Sequence, residues 1–359
     1  MSNKCQGCGV TLQYDDKDAL GYSAKKEALY CQRCFRMMHY DDVKINMQKA
    51  IANDEILSKV NALKALVVWV VDLFDFEGCM IEGINRHLSD ADILLVATKR
   101  DLLPQSVGNQ KLVNFINAQL KKRGIKVNGI VLAADLNTYQ RSLNNGSISV
   151  IQDSINQLRA GRNVAVLGCA NAGKSTLLNA IINNQRFSVS YHPGTSLDLN
   201  PIVFEDYIMY DTPGLVRSDS LLTHAPQAIL KVIIPFKPIK PQVYQLNSDQ
   251  SLAIAGLARL DIMGCDKVSV TTYFANNLNI HRCKQSNADK LWSEHLGELL
   301  CPCTVDNFKK LSKYQTKPHY PKTDVVINGL GWFSISGSFK ELTVYTDKNC
   351  GVTFREAII

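Results

Sequence analysis

The sequence predicts an α/β fold in which a doubly wound, mostly parallel sheet follows a four-cysteine segment and precedes a β-rich domain. Three observations support this prediction. Apolar strand-like runs alternate with helix-like segments over residues 65–215, a glycine-rich loop joins one such strand to a helix, and mainly strand-like segments follow. The 359 residues, 46% of them hydrophobic, allow a sizeable core and favour two or three domains. We expect domains at 1–45, 46–218 and 219–359.

The N-terminal segment contains two CxxC pairs, which are Cys5 with Cys8 and Cys31 with Cys34. Each pair can direct two thiolates at one ion, and together they complete the tetrahedral shell of a structural zinc. The alternative is a redox-active CxxC pair. With eleven cysteines, an odd number, and no export-like or membrane-spanning run, we expect a reducing, cytoplasmic location rather than disulfides. Because four thiolates leave no open position, this zinc would be structural only.

The central domain alternates predicted strands and helices. Its first two strands are continuous apolar runs, which are typical of buried parallel strands. In chain order the predicted strands are 66–73, 92–98, 129–134, 163–168 and 207–214, and the predicted helices are 107–123 and 149–160. In sheets of this kind ligands bind at the carboxyl ends of the strands, so the residues that follow each strand are candidates for a site.

The stretch GCANAGKST, residues 168–176, fills the phosphate-loop pattern GxxxxGK[ST]. Because it joins a strand to a helix, its backbone N–H groups and the helix N-terminus can hold phosphate oxygens. Lys174 adds a positive charge near the β- and γ-phosphates, and the Ser175 hydroxyl can bind Mg²⁺. The nucleotide contacts expected here are Gly168, Asn171, Ala172, Gly173, Lys174, Ser175 and Thr176.

Two later segments extend this site toward the γ-phosphate. The stretch YIMYDTPG ends in DxxG, where Asp211 suits the Mg²⁺ water shell and the Gly214 N–H suits the γ-phosphate. Thr195, in YHPGTS, can offer its hydroxyl to Mg²⁺ and γ-phosphate from a switch segment. The expected magnesium residues are Ser175, Thr195 and Asp211, and the expected catalytic residues are Lys174, Thr195 and Asn171.

The stretch ATKRD, residues 97–101, has the shape of the guanine-reading motif NKxD. Asp101 can accept hydrogen bonds from the guanine N1–H and exocyclic amine, a donor pair that adenine lacks, and Lys99 can lie along the ring. We therefore expect GTP and GDP rather than ATP. Thr98 replaces the Asn of the motif, which removes a carboxamide that braces the loop and the base. The backbone of Ala133 and Ala134 is a candidate for reading guanine O6.

Leu215 follows Gly214 at the position where many small GTPases have a water-orienting Gln, so slow intrinsic hydrolysis is expected. Asn171 is a candidate to compensate by holding a K⁺ where an arginine finger would put its charge. The alternative is that Asn171 only stabilises the loop.

The base-reading segment precedes the phosphate loop, the switch and DxxG, and this order is a circular permutation. New chain ends of this kind are tolerated in surface loops. The permuted chain leaves the nucleotide fold directly after DxxG, so residues 215–220 would link the γ-phosphate sensor to the C-terminal domain.

The cysteine pairs followed by TKRD, GCANAGKST, PGTS and DTPG resemble the YqeH family of circularly permuted GTPases. In the C-terminal third GLARLD, NLNIHRCKQSNADKL and GLGW are also similar to that family. The resemblance spans nearly the whole chain. It implies a GTPase of bacterial type that acts in assembly of the small ribosomal subunit through rRNA or ribosomal proteins.

The C-terminal third is predicted to be mostly β, with strands at 267–275, 324–337 and 341–347 and one helix near 287–300. Residues 231–246 contain three prolines and are expected to form an extended connector.

Residues 219–359 carry 16 Lys and Arg against 12 Asp and Glu, which supplies +4 of the net charge of +7 and favours anionic partners. Residues 308–322 combine five lysines with aromatic rings that can stack on unpaired bases, and the alternative is a solvated loop. The resemblance favours RNA contact. The rings are Phe308, Tyr314, His319 and Tyr320.

Two other functions fit parts of the sequence. One is a GTP-dependent RNA-binding or RNA-modifying factor that is not dedicated to ribosomes, although no second catalytic set is evident outside the nucleotide site. The other is a structural RNA-binding protein with a degenerate nucleotide site, which would fit Thr98 but leaves the intact phosphate loop unexplained.

Overall fold

The computed structural model describes most of the chain in two compact units. The described residues are 11–16, 22–25, 28, 32, 53–134, 145–184, 190–191 and 199–359. Unit 1 consists of the described residues of Met1–Leu73, Ile81–Arg100 and Ala118–Val216, and unit 2 consists of Phe74–Met80, Asp101–Asn117 and Arg217–Ile359. The four predicted zinc ligands, Cys5, Cys8, Cys31 and Cys34, and the predicted switch residue Thr195 lie outside the described residues.

Unit 1 contains a seven-stranded sheet in the order β3-β2-β1-β4-β7-β6-β5. Its strands are β1 (Leu66–Asp72), β2 (Ile93–Thr98), β3 (Gly129–Leu132), β4 (Val164–Gly168), β5 (Ser190–Tyr191), β6 (Asn200–Val203) and β7 (Ile208–Asp211). The pairs from β3 to β7 are parallel, and β6 pairs antiparallel with both β5 and β7. A mostly parallel sheet is therefore confirmed.

The central strands consist of continuous apolar runs, which suit strands that are buried on both faces of a sheet. Every residue of β1, β2 and β4 is buried, whereas those of the edge strand β3 are only partly buried. The helices that accompany the sheet in the chain are α1 (Asn53–Ala62), α2 (Ile84–His87), α3 (Asn109–Lys122), α4 (Asn145–Arg159) and α5 (Lys174–Asn184). Helix α4 packs on β1, β2 and β3.

The strand order places the functional loops at a switch point of the sheet. The chain runs outward from β1 through β2 to β3, and it then returns to the other side of β1 to form β4. Ligands of such sheets bind beyond the carboxyl ends of the strands where the order reverses. The phosphate loop follows β4, and the ATKRD segment begins in β2.

Unit 2 contains two five-stranded antiparallel sheets, in the orders β12-β9-β10-β16-β13 and β17-β14-β15-β11-β8. Its strands are β8 (Gln242–Leu246), β9 (Gln250–Ile254), β10 (Ala258–Met263), β11 (Asp266–Phe274), β12 (Ile280–Lys284), β13 (Ser312–Thr316), β14 (Lys322–Ile327), β15 (Gly331–Ser338), β16 (Glu341–Thr346) and β17 (Val352–Glu356). Three helices, α6 (Leu221–His224), α7 (Gln227–Ile233) and α8 (Ala288–His295), complete the C-terminal region. The β-rich C-terminal prediction is confirmed.

The structure corrects two local predictions in this region and limits one alternative. The single strand expected at 324–337 is a hairpin of β14 and β15, because Gly329 turns the chain with a φ of +80°. The extended connector expected at 231–246 begins in helix α7 and ends in strand β8. Residues 308–322 are not a loop throughout, because they contain β13, which is an edge strand.

A buried group of charges lies within unit 2. The Arg355 guanidinium contacts the Glu77 carboxylate at 2.9 Å and the Asp324 carboxylate at 3.6 Å, and all three side chains are buried. Burial raises the pKa of the Asp324 carboxyl, and the charge of Arg355 offsets this only in part. The backbone N–H of Ile358 donates to Asp324 at 3.0 Å. Arg355 thus neutralises two carboxylates that are remote from each other in sequence.

Within the part of the chain that the structure describes, no helix is both long enough and apolar enough to cross a membrane.

Candidate nucleotide-binding site

The phosphate loop runs from Gly168, the last residue of β4, to Lys174, the first residue of α5. Two of its residues have left-handed backbone conformations, Asn171 with a φ of +68° and Gly173 with a φ of +89°. Glycine adopts this conformation freely, and asparagine does so more readily than most residues. The loop therefore has the curvature with which successive backbone N–H groups can face one anion.

Lys174 and Asp211, two of the predicted site residues, are in direct contact. The Lys174 ammonium pairs with the Asp211 carboxylate, and only 9% of the Lys174 residue is exposed. Strand β7 ends at Asp211 and lies beside β4 with Val166 opposite Asp211, which brings the two motifs together. Ser175 follows in the first turn of α5. A hydroxyl and a carboxylate are ligands that suit Mg²⁺, and the adjacent lysine suits phosphate.

Thr98 connects the base-reading segment to the phosphate loop. Its buried hydroxyl lies 2.6 Å from the Ala172 carbonyl oxygen and 3.2 Å from the Val71 carbonyl oxygen, and it can donate to either. The sequence leads one to expect that Thr98 cannot brace the loop because it lacks the carboxamide. The structure corrects this for the loop, since the hydroxyl reaches the backbone of Ala172 directly.

Replacing Thr98 with valine is expected to weaken this connection without changing side-chain size. The variant leaves the buried Ala172 carbonyl without its donor, which costs about 1–3 kcal/mol. We expect lower GTP affinity and a lower urea midpoint, measured by equilibrium nucleotide binding and by tryptophan fluorescence. A Thr98→Ser variant keeps the hydroxyl and serves as the control. Equal GTP affinity in the valine and serine variants would show that the hydroxyl has no role at the site.

Of the other predicted base-reading residues, Lys99 is held by an ion pair and Ala133 by a backbone hydrogen bond. Lys99 has a φ of +59°, and its ammonium contacts Asp72, at the end of β1, at 2.7 Å. Asp101 is exposed in the one-turn helix Arg100–Leu102. The N–H of Ala133 donates to the Ala97 carbonyl oxygen at 2.8 Å, so this N–H is already engaged. Of the two predicted alanines, Ala134 is therefore the better candidate for guanine O6.

The segment after DxxG is joined to the phosphate loop by two backbone hydrogen bonds. The Leu215 N–H donates to the Gly168 carbonyl oxygen at 2.9 Å, and the Ala170 N–H donates to the Leu215 carbonyl oxygen at 3.2 Å. The Leu215 side chain is completely buried. Leu215 therefore acts as a structural residue at the position where other GTPases orient water, and slow intrinsic hydrolysis stays a prediction.

Asn53 is a residue that sequence reasoning missed. Its side-chain amide donates to the Val216 carbonyl oxygen at 2.7 Å and accepts from the Val216 N–H at 3.0 Å. This pair of hydrogen bonds holds the backbone two residues after Gly214. The sequence gives no direct signal for the contact, because an Asn at the start of a helix is typical of an ordinary cap.

Asn171 has a polar group that is left unsatisfied. Its side-chain Nδ2 is buried and has no hydrogen-bond partner among the described residues. Buried polar groups in native proteins are nearly always hydrogen-bonded, so an orphan of this kind inside a phosphate loop is suited to a ligand atom. The amide can also be turned so that its oxygen takes the same place.

The chain that leaves the nucleotide motifs is fixed within unit 2 by Arg217 and Asp219. Arg217 donates to the carbonyl oxygens of Glu77 and Met80 at 2.8 and 2.6 Å, and it pairs with the Asp219 carboxylate. Burial tends to raise the pKa of Asp219, but the Arg217 hydrogen bond and charge, with the Asn328 amide, outweigh it and leave the pKa lowered. The carboxylate of Asp219 is therefore ionised and can hold Arg217 in place.

Comparison with known proteins agrees with the motifs. The family described as "YqeH-like, C-terminal" matches residues 267–358, and the family described as "50S ribosome-binding GTPase" matches residues 163–254. The YqeH protein of Bacillus subtilis is 36% identical over 371 aligned positions, which cover 99% of each chain. The chain belongs to the YqeH family.

Two further relatives of this YqeH-family chain have lower sequence identity. "NO-associated protein 1, chloroplastic/mitochondrial" of Arabidopsis thaliana is 28% identical, covering 92% of this chain and 69% of its own length. "GTPase Der" of Thermotoga neapolitana is 34% identical over 37% of this chain and 32% of its own length. The GTPase match begins at residue 163, directly before the phosphate-loop strand, so ATKRD lies upstream of it. This YqeH-family protein is a GTPase that uses GTP, GDP and Mg²⁺, and its motifs are in permuted order.

Proposed function

We propose that this GTPase acts as a GTP-gated switch in assembly of the small ribosomal subunit. In this proposal it engages the subunit precursor through rRNA, ribosomal proteins or both. The supporting observation is the short path from the nucleotide site to unit 2. Leu215 is hydrogen-bonded to the phosphate loop, and Arg217, two residues later, is held by Glu77, Met80 and Asp219. A displacement of Gly214 on γ-phosphate binding would reach Arg217 through very little intervening chain.

The basic surface of unit 2 supports an RNA partner. The five lysines of residues 308–322 are all exposed, which suits contact with phosphates. Two of the four predicted stacking rings of this segment are already engaged. Phe308 packs against the core cluster that contains Trp292, and the Tyr314 hydroxyl donates to the Cys350 carbonyl oxygen at 3.0 Å. We therefore assign the lysines of this segment, rather than Phe308 and Tyr314, to RNA contact, and the exposed His319 stays a predicted stacking ring.

We also propose that Asn171 holds K⁺ during hydrolysis. The buried, unpartnered end of its amide supports this role, because the amide oxygen can be turned toward a cation beside the phosphates. Faster turnover in KCl than in NaCl is expected, with the difference lost in Asn171→Ala. Equal rates in the two salts would leave Asn171 as a loop residue only.

Zinc binding by Cys5, Cys8, Cys31 and Cys34 remains a proposal from their spacing. Among the described residues, no group of three or more His, Cys, Asp or Glu side chains is placed to hold a metal. Elemental analysis of the purified protein is expected to find one zinc per chain, which is lost in Cys31→Ser. A full complement of zinc in that variant would rule out this ligand set.

Co-sedimentation with ribosomal particles tests the proposed switch. Small-subunit and large-subunit particles are each mixed with the protein and either a non-hydrolysable GTP analogue or GDP, at one fixed salt concentration. We expect small-subunit binding that is stronger with the analogue and that is lost in Lys174→Ala. Large subunits serve as the comparison, because the description of the matched GTPase family names the 50S subunit.

Each other outcome points to a different function. Preference for large subunits would keep the GTP-gated switch but overturn the choice of subunit. Binding that is indifferent to nucleotide would indicate an RNA-binding protein whose GTPase serves another partner. Binding to RNA without binding to either subunit would favour a GTP-dependent RNA factor that is not dedicated to ribosomes.

A further inference from the structure

Unit 2 has an exposed aromatic ring in a lysine-containing stretch of the chain outside residues 308–322. The Phe236 side chain is 79% exposed, which is unusual for a phenylalanine, and the nearby Val243 is 60% exposed. Three exposed lysines lie in the same stretch, and residues 220–248 contain no Asp or Glu. We call Phe236 with Lys231, Lys237 and Lys240 the Phe236 platform.

The loop that carries this ring is anchored within unit 2. The Asn276 side chain donates to the Pro238 carbonyl oxygen at 2.9 Å and accepts from the Lys240 N–H at 2.9 Å. Ile239 is buried, and its N–H donates to the Leu102 carbonyl oxygen at 2.9 Å. The prolines restrict the backbone further. Because these contacts already fix the segment, binding a ligand at Phe236 loses little conformational entropy of the loop.

We propose that the Phe236 platform binds an unpaired RNA segment, with one base stacked on Phe236 and the neighbouring phosphates neutralised by the lysines. This inference rests on the RNA partner of the proposed function and assigns that partner a site. An exposed ring among basic side chains is the combination by which proteins bind single-stranded nucleic acid without strict sequence choice. The lack of acidic residues over 220–248 removes the repulsion that phosphates would otherwise meet.

A protein partner is less suited to this surface. The cores of protein–protein interfaces are depleted in lysine. Phe236 is instead followed by the exposed Lys237, and Lys240 lies four residues after it. Residues 308–322 offer lysines, but Phe308 is packed against the Trp292 cluster. The Phe236 platform therefore combines a highly exposed phenylalanine with exposed lysines in one short stretch of the chain.

Fluorescence anisotropy with a labelled oligouridylate of about 12 nucleotides tests the site, at several KCl concentrations and with the full chain. Phe236→Leu keeps an apolar side chain but removes the ring, and we expect affinity to fall about 5- to 150-fold with an unchanged salt dependence. Phe236→Trp is expected to bind as tightly as the natural protein or more so. The double variant Lys237→Ala with Lys240→Ala is expected to flatten the slope of log affinity against log salt by about 1.4.

Two exposed residues elsewhere provide matched controls, Leu299→Ala for the apolar change and Lys121→Ala for the charge change, and both should bind RNA normally. Unchanged RNA affinity in Phe236→Leu would overturn the site while leaving the proposed function intact. Unchanged RNA affinity together with lost subunit binding would assign Phe236 to a protein contact and also overturn the site. A natural protein that binds neither the oligonucleotide nor ribosomal subunits would overturn both proposals.

Discussion

Replacing Lys174 with alanine is expected to lower affinity for GTP and GDP by at least about 30-fold, while affinity for GMP changes little. Lys174 is the first residue of α5, directly after the phosphate loop, and its nearly buried ammonium pairs with Asp211. When nucleotide binds, this ammonium is expected to pair with the β- and γ-phosphates, and truncating one partner of such a charge pair across a binding interface typically costs about 2–5 kcal/mol. Equilibrium binding of the three nucleotides in the presence of Mg²⁺ measures the effect.

The control for Lys174 is Lys121→Ala, which removes the same charge from an exposed position on α3. It should leave all three affinities unchanged. Asp211→Asn separates the two members of the pair, because it keeps the lysine and should weaken the dependence of GTP binding on Mg²⁺. GTP affinity that survives in Lys174→Ala would mean that the backbone of the loop holds the phosphates without the lysine.

Replacing Arg355 with methionine is expected to destabilise unit 2 by about 3–5 kcal/mol, because it leaves the buried Glu77 and Asp324 carboxylates without a counter-charge. The change keeps most of the side-chain volume, so lost packing contributes less than the uncompensated charge. A lower urea midpoint followed by tryptophan fluorescence measures it. Adding Glu77→Gln to Arg355→Met should recover part of the loss, since it removes one of the two stranded charges.

The comparison for Arg355 is Lys310→Met, which breaks the exposed ion pair with Asp306 in the same unit. Exposed pairs contribute about 0–1 kcal/mol, so this variant should unfold near the midpoint of the natural protein. If Arg355→Met were as stable as Lys310→Met, the loss of this counter-charge would not carry the expected cost. Burial raises the pKa of the Asp324 carboxyl, which favours its neutral form once the charge of Arg355 is removed.

The central sheet is predictable from sequence because its strands are apolar on both faces. The predicted strands 66–73, 92–98 and 163–168 agree closely with β1, β2 and β4. Strand β10 was not predicted, because charged residues interrupt its apolar pattern. It carries Arg259 and Asp261, which pair with each other and are buried, and charged residues in a short segment suggest an exposed loop. Tertiary pairing of this kind overrides the local pattern.

The nucleotide site is predictable where a motif fixes its backbone. Lys174 begins helix α5 and Asp211 ends strand β7, and the structure brings their side chains together. Thr98 and Asn53 show the limit of motif reading, because both act through hydrogen bonds to backbone atoms distant in sequence. Because nearly every residue offers a backbone N–H and C=O, the residue type at the contacted position does not reveal such a hydrogen bond.

Unit 2 is built from three separate segments of the chain, so the C-terminal third depends on residues that come much earlier in the sequence. Glu77 supplies the carboxylate that pairs with Arg355, and Asp75 accepts the N–H of Gly329 at 3.0 Å. A gene fragment that encodes only the residues from 217 onward would lack both carboxylates. The residues from 217 onward are therefore not expected to form a complete unit without residues 74–80, and a change at Asp75 or Glu77 removes a partner from Gly329 or Arg355.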